Sequence, residues 1–243
     1  MWNNALLLRS LTSALFYLST FAALCGATYY AVHLPGLFPL YSVRLDSAPQ
    51  RIDAAQVLQV VRTEARGNFF TVDIERLRSA LEKLPWVQSV TIRRVYPGRL
   101  AVKLAEHQVL ARWNHSALVN VQGEIFNGRS EQPLADFIGQ SGDSVELALR
   151  YVQFGKLLAP LNLQVAQIVL SPRHAWQLHL SNGLVLELGR EEMQQRLARF
   201  VAVYPYSLAL QGAEDRGQRT EGAVRYVDLR YRNGFAVGGM VKG

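Results

Sequence analysis

The chain has 243 residues, 26 Lys and Arg against 19 Asp and Glu, a net charge of +7 and one cysteine, Cys25. A single cysteine excludes an internal disulfide framework and a thiolate metal cluster. The basic balance alone would suit nucleic acid, but the arginines are scattered through helix faces and strands instead of clustering with aromatics, and an exported domain does not meet DNA.

Export is read from the amino-terminal segment. Residues 10–43 carry no Lys, Arg, Asp or Glu. The run LTSALFYLSTFAALCGATYYAV covers 11–32, and a membrane span needs ~20 apolar residues. Arg9 and the amino terminus precede it, and Arg44 is the next positive residue. That bias puts the amino terminus inside and the bulk outside. Tyr29 and Tyr30 suit the outer interface. A cleaved signal peptide is the rival, yet its apolar core is usually ~7–15 residues. Cys25-Gly26-Ala27 is a poor cleavage site, and Leu24 before Cys25 argues against lipidation. The expectation is a tail at 1–9 and a retained transmembrane helix at 10–34.

Pro35-Gly36 and Pro39 end that helix. Residues 41–45 alternate as a strand. Asp53 caps a helix with Ala54, Val57, Val60 and Val61 on one face, and Asp73 caps another with Ile74, Leu77, Leu81 and Leu84. Val90 and Ile92 alternate with Thr91 and Arg93. Tyr96-Pro97-Gly98 forms a turn, and the return strand turns Leu100, Val102 and Leu104 inward. Residues 41–108 therefore read as one β-α-α-β-β unit, both helices on one sheet face.

Residues 109–243 read as a second, mostly antiparallel β-domain with helices, making the whole chain α+β. Strands are expected at 109–113, then a hairpin around Gln122-Gly123. Residues 129–144 look like loop. Ser144 caps a helix that Pro160 closes. Strands follow at 164–170, 176–180 and 184–188, the last two joined at Asn182-Gly183. A helix is expected over 191–204, with Glu191 and Glu192 in its first turn and Pro205 as its stop. Residues 211–222 read as a polar, mobile segment. A strand at 224–231, a turn at Asn233-Gly234 and a short last strand at 235–238 close the chain. A terminal strand without Lys or Glu can receive a partner strand, though most such strands are plain sheet edges.

Catalytic patterns are absent from the sequence: no G-x-S-x-G, H-E-x-x-H, Walker loop or G-x-G-x-x-G. No cofactor and no metal are expected. His107 and His115, and His174 and His179 on opposite strand faces, make no natural metal pair. Ser130 and Ser141 lack a base at useful spacing. Glu131, Asp136 and Asp143 could pair as glycosidase carboxylates, but read better as surface groups.

Gly67-Asn68-Phe69-Phe70, Leu84-Pro85-Trp86-Val87, Val95-Tyr96-Pro97 and Leu104-Ala105-Glu106-His107 resemble a POTRA domain, and specifically that of the FtsQ/DivIB family of bacterial cell-division proteins. Arg190-Glu191, Arg196-Leu197-Ala198-Arg199-Phe200-Val201, Tyr204-Pro205, Val227-Asp228-Leu229-Arg230-Tyr231 and Gly234-Phe235-Ala236-Val237-Gly238 resemble that family's carboxy-terminal domain. The resemblance implies a single-pass inner-membrane protein at the division septum, with its bulk in the periplasm. It implies a non-enzymatic scaffold that binds FtsB, and through it FtsL, linking early and late division proteins. Arg230, Tyr231, Asn233, Gly234 and Phe235 match the positions where the family receives an FtsB strand, and Arg173 matches a second contact. Phe235 is bulky where the family commonly has a small residue. The rival readings, a POTRA-bearing chaperone and a wall-modifying enzyme, would need a following β-barrel or a working carboxylate pair.

Overall fold

A computed structural model of the protein describes residues 5–34, 36–46, 49–207, 226–231 and 234–238. The chain divides into two compact units, Met1–Glu106 and His107–Gly243.

The first unit begins with α1 (Ala5–His33). Its stretch Arg9–His33 is the one helix, among the described residues, long and apolar enough to cross a membrane. Its hydroxyls return their protons to carbonyls one turn back: Thr20 Oγ1 to Phe16 O and Thr28 Oγ1 to Leu24 O, both at 2.8 Å. Hydrocarbon offers no alternative partner, so such internal bonds suit a span.

Next come β1 (Ser42–Leu45), α2 (Ala54–Glu64), α3 (Ile74–Leu81), β2 (Val87–Val95) and β3 (Arg99–Glu106). The expected β-α-α-β-β order is present. Both caps form as the sequence predicts: Asp53 Oδ1 accepts from Ala55 N, and Asp73 Oδ1 from Arg76 N, each at 2.9 Å. The sheet order is β1-β3-β2, with β1 parallel to β3 and β2 antiparallel to it. Val57, Leu77 and Leu81 from the helices bury completely with Leu100 and Val102 from β3. Tyr41 lies just before β1, and its N–H donates to Gly98 O in the β2–β3 turn.

The second unit contains β4 (Val109–Trp113), β5 (Ala117–Asn120), β6 (Ile125–Phe126), β7 (Ala135–Ile138), α4 (Ser144–Leu158), β8 (Val165–Leu170), β9 (Trp176–Leu180), β10 (Val185–Gly189), α5 (Met193–Ser207), β11 (Tyr226–Asp228) and β12 (Ala236–Gly238). They form one nine-stranded sheet in the order β12-β11-β10-β9-β8-β7-β4-β5-β6. Parallel neighbours need a crossover, usually a helix. Here α4 joins the parallel pair β7 and β8, and α5 joins the parallel pair β10 and β11. The core holds the fully buried Phe137, Leu147, Phe154, Leu158, Ile168, Leu178, Leu186, Leu197 and Phe200.

Several local expectations need correction. The strand expected at 224–231 is, among the described residues, only β11 (Tyr226–Asp228), and residues 229–231 lie outside it. Residues 129–144 are not all loop, because β7 pairs in parallel with β4 and β8 and buries Ala135 and Phe137. Ser144 is not the cap of α4; a 3-10 turn at Ser141–Asp143 precedes it, with Asp143 Oδ2 accepting from Gln140 N. Glu191 and Glu192 lie before α5, Glu192 with φ +53°. Pro205 lies inside the last turn of α5: it forfeits one N–H near the helix end, while buried Leu197 and Phe200 hold the turns before it. The segment expected at 211–222 lies outside the described residues.

Phe154 meets Trp176 edge-on at 6.0 Å in the centre of this core. Phe154→Ala is expected to lower the stability of the second unit by about 3–5 kcal/mol, measured by urea unfolding. Val152→Ala, on the exposed side of α4, should change it by less than about 0.5 kcal/mol.

Candidate functional site

Sheet register gathers the five described candidate residues at one end of the second unit. Glu187 of β10 stands opposite Asp228 of β11 in a parallel pair, and Asp228 stands opposite Ala236 of β12. Gly189 at the end of β10 faces Trp176 at the start of β9. The 171–175 turn with Arg173, the residues Arg230 and Tyr231 after β11, and Gly234 and Phe235 before β12 therefore lie at the same end. Strands are spaced ~4.8 Å apart, so the Arg173 turn is about 10 Å across the sheet from β11 and about 15 Å from β12. Asn233 lies outside the described residues.

The candidates differ in what they do locally. Tyr231 is exposed and Phe235 is half-buried against the core. Arg230 is engaged within the chain. Its Nε donates to Asp228 Oδ1 at 2.9 Å, its Nη2 to Oδ2 at 2.6 Å, and its backbone N–H to Oδ1 at 3.0 Å. Asp228 is buried. The Arg230 hydrogen bonds hold its carboxyl below the usual range, helped by the Arg196 charge and opposed by burial. The same bonds raise Arg230. Arg230 thus fixes the bend that follows β11, a role its exposure in the sequence pattern does not reveal.

Arg196 of α5 completes this end, its Nη1 donating to Leu188 O at 2.6 Å. Gly189, with φ +76°, lets both arginines cross β10: a Cβ there would stand 2.8 Å from Arg196 Nη1 and 3.1 Å from Arg230 Cγ. Between α5 and the last segment runs a cleft of about 470 Å³, lined by Arg196, Arg199, Ala202, Val203, Leu229, Gly234 and Phe235. Its floor is apolar and its α5 rim is cationic. β12 stands at the end of the sheet, so one row of its backbone N–H and C=O groups faces away from β11. Sequence reasoning named Gly234 and Phe235 but not the α5 wall. The signal for it was the spacing of Arg196, Arg199 and Val203, which share a helix side at i, i+3 and i+7.

Two family models match the chain: "POTRA domain, FtsQ-type" over residues 38–107, and "Cell division protein FtsQ/DivIB, C-terminal" over residues 111–230. The cell division protein FtsQ of Nitrosospira multiformis is 40% identical over 244 residues, covering 98% of this chain and 99% of that protein. This chain belongs to the FtsQ family of cell division proteins. FtsQ of Burkholderia pseudomallei is 38% identical, covering 98% of this chain and 94% of its own. FtsQ of Escherichia coli is 36% identical over 177 residues, covering 71% and 62%. The β-α-α-β-β unit is thus a POTRA domain of FtsQ type, and the second unit holds the FtsQ/DivIB carboxy-terminal domain.

The carboxylates weighed for glycan cleavage sit apart in role. Asp143 caps a 3-10 turn, Asp136 faces Arg112 at 3.5 Å on β7, and Glu131 is exposed. His174 is not on a strand at all: it occupies the β8–β9 turn with φ +57°.

On the sheet face opposite α4 and α5, Gln177 bridges Glu187 and His179. Its Nε2 donates to Glu187 Oε1 at 2.6 Å, and its Oε1 lies 3.1 Å from His179 Nε2. Burial pushes His179 below its ordinary value, and Glu187 only partly opposes this. A histidine depressed in the folded state takes up its proton more readily when unfolded. Stability is then full above the unfolded value near ~6.5 and declines as pH falls through it toward the depressed folded value. Thermal unfolding of the full chain should therefore show a loss on going from pH 7 to pH 5 that is smaller in His179→Gln. An unchanged loss in that variant would assign the effect to another group.

Proposed function

We propose that this FtsQ-family chain is a non-catalytic divisome scaffold of the bacterial inner membrane. In this reading the amino terminus is cytoplasmic, α1 spans the membrane, and the POTRA domain at 41–108 and the β-domain at 109–243 stand in the periplasm at the septum. The chain binds FtsB, and through it FtsL, and links early to late division proteins. The residues that carry this contact are Tyr231, Gly234 and Phe235 along the sheet end, with Asn233, which lies outside the described residues, and Arg173 across the sheet. Arg230 acts by holding the bend after β11.

The observation that carries this reading is the terminal edge. β12 ends the nine-stranded sheet, and beside it lies an apolar cleft against α5 with a cationic rim. An extended partner would take backbone hydrogen bonds from β12 and place alternate side chains in that cleft. Carboxylates on the partner would meet Arg196 and Arg199 at the rim, and Arg173 could take a more distant one. Exposed Tyr231 supplies an aromatic anchor of the kind that dominates interface energetics.

Tyr231→Ala is expected to weaken FtsB binding about tenfold, a loss of about 1.4 kcal/mol, with unchanged thermal unfolding. Amides of residues 236–238 should become protected from hydrogen exchange when FtsB binds. Wild-type affinity in Tyr231→Ala, together with unaltered exchange across 236–238, would remove the edge as the docking site.

A further inference from the structure

Three segments of the POTRA domain converge where α1 ends: residues 36–41, residues 67–72 and the β2–β3 turn at 95–98. Asn68 is the joint. It is 1% exposed, and its Nδ2 donates to Val32 O at 2.5 Å and to Leu34 O at 3.3 Å. Carbonyls at a helix end have no partner inside the helix, so this side chain ties the membrane helix to the loop. Its Oδ1 accepts from Phe70 N and Thr71 N, both at 2.9 Å. Phe69 N donates to Phe38 O at 2.9 Å, and the Phe38 and Phe70 rings meet edge-on at 4.9 Å. Arg94 closes the group by donating to the carbonyls of Phe69 and Val72 at 3.0 and 2.9 Å. At the turn, Gly98 has φ +63°, and a Cβ there would stand 2.5 Å from the Tyr41 ring. Tyr41 is thereby packed against the turn that carries Tyr96.

This joined surface exposes several large apolar and aromatic side chains. Leu37, Phe38, Tyr41, Phe70 and Tyr96 all present large side chains to solvent, Tyr96 at 81% exposure. Such a contiguous patch marks an interaction surface. The three segments themselves carry no charged residue; Arg44, Arg66, Arg93, Arg94 and Arg99 flank them within three residues, and the nearest acidic residues in sequence are Asp46, Glu64 and Asp73, so the flanks are cationic on balance. The patch begins within one helical turn of the last residue of α1, so the nearest surface it can reach is the interface of the membrane that α1 crosses. Rings with a polar tip, flanked by more cations than carboxylates, suit an anionic headgroup layer.

We propose that this end of the POTRA domain is seated in the membrane interface, with Phe38, Phe70 and Tyr96 among the headgroups and the neighbouring arginines on anionic lipid phosphates. The bilayer then holds the domain at a fixed height, and Asn68 makes the seat and the span one piece. The proposal rests on α1 spanning the membrane.

The test uses the full chain with Cys25→Ala, reconstituted in vesicles of phosphatidylethanolamine and phosphatidylglycerol. An environment-sensitive fluorophore is attached in turn through Tyr96→Cys, Phe21→Cys and Val152→Cys. Lipids spin-labelled at the headgroup are expected to quench the probe at 96 at least about threefold more than the probe at 152, which is exposed on α4, as befits an interfacial depth. Lipids spin-labelled deep in the acyl chain should quench the probe at 21. Equal quenching at 96 and 152, with deep quenching at 21, overturns the seat while leaving the span intact. Absence of deep quenching at 21 overturns the span and the seat with it. Protection of the probe at 96 from aqueous iodide without lipid quenching would mean that protein covers the patch, and overturns the seat also. Replacing phosphatidylglycerol by phosphatidylcholine should reduce quenching at 96 and not at 21; equal quenching there would remove the arginines from the proposal.

Discussion

Burial of one face of the nine-stranded sheet under α4 and α5 is the interaction on which the second unit depends. Each large apolar side chain removed from water contributes about 1.5–3 kcal/mol, and Phe137, Phe154, Phe200, Leu178 and Leu186 are wholly removed. The helices cover this face because they are crossovers between parallel neighbours, β7 to β8 and β10 to β11. A sheet stabilised through its face has no need to close on itself. Among the described residues it ends in two edges, and one of them is β12. The open edge is thus a consequence of how the domain acquires its core.

The described part of that edge is Ala236–Gly238 of β12. Its position is fixed from both sides. Phe235 packs on the core before it, and the Arg230–Asp228 fork holds the bend after β11. Arg196 bonds the end of β10 from α5, so helix, bend and edge form one arrangement. Its electrostatics are internal, since Arg230 and Asp228 largely satisfy each other, and Arg196 and Arg199 stand on the α5 side of the cleft.

Much of this was legible in the sequence because local signals and tertiary packing agree. Asp53 and Asp73 precede apolar faces and cap them; Leu100, Val102 and Leu104 alternate and are buried. Where they disagree, the sequence misleads. β7 is four residues long, preceded by Gln132-Pro133-Leu134 and followed by Gly139-Gln140-Ser141; parallel pairing on both sides makes Ala135–Ile138 a strand. Pro205 reads as a stop, but a proline near a helix end removes little when buried Phe200 already fixes the preceding turn. Glu191 and Glu192 look like dipole partners for a helix that in fact begins after them. Arg230 carries a contact role by resemblance, yet its partner two residues back could be seen only once the bend placed the two side chains together.

In the proposed docking, backbone pairing and side-chain recognition would divide the labour at the β12 end. Main-chain bonds to an edge are nearly independent of the partner's sequence, so they supply affinity without selection. Selection must come from side chains, and here it has two sources of different reach. In that docking the cleft between α5 and Phe235 would accept apolar groups at contact distance, and the arginines of α5 would act on carboxylates over a longer range. The Arg173 turn lies two strand positions from β11, too far for the segment that pairs with β12 to touch both in its extended form. A single partner engaging both must therefore change direction after leaving the edge, crossing the end of the sheet over β11 and β10. Gly189, over which Arg196 and Arg230 already lie, sits under that path, so the two guanidinium groups that order this end of the domain are also the ones such a partner would pass.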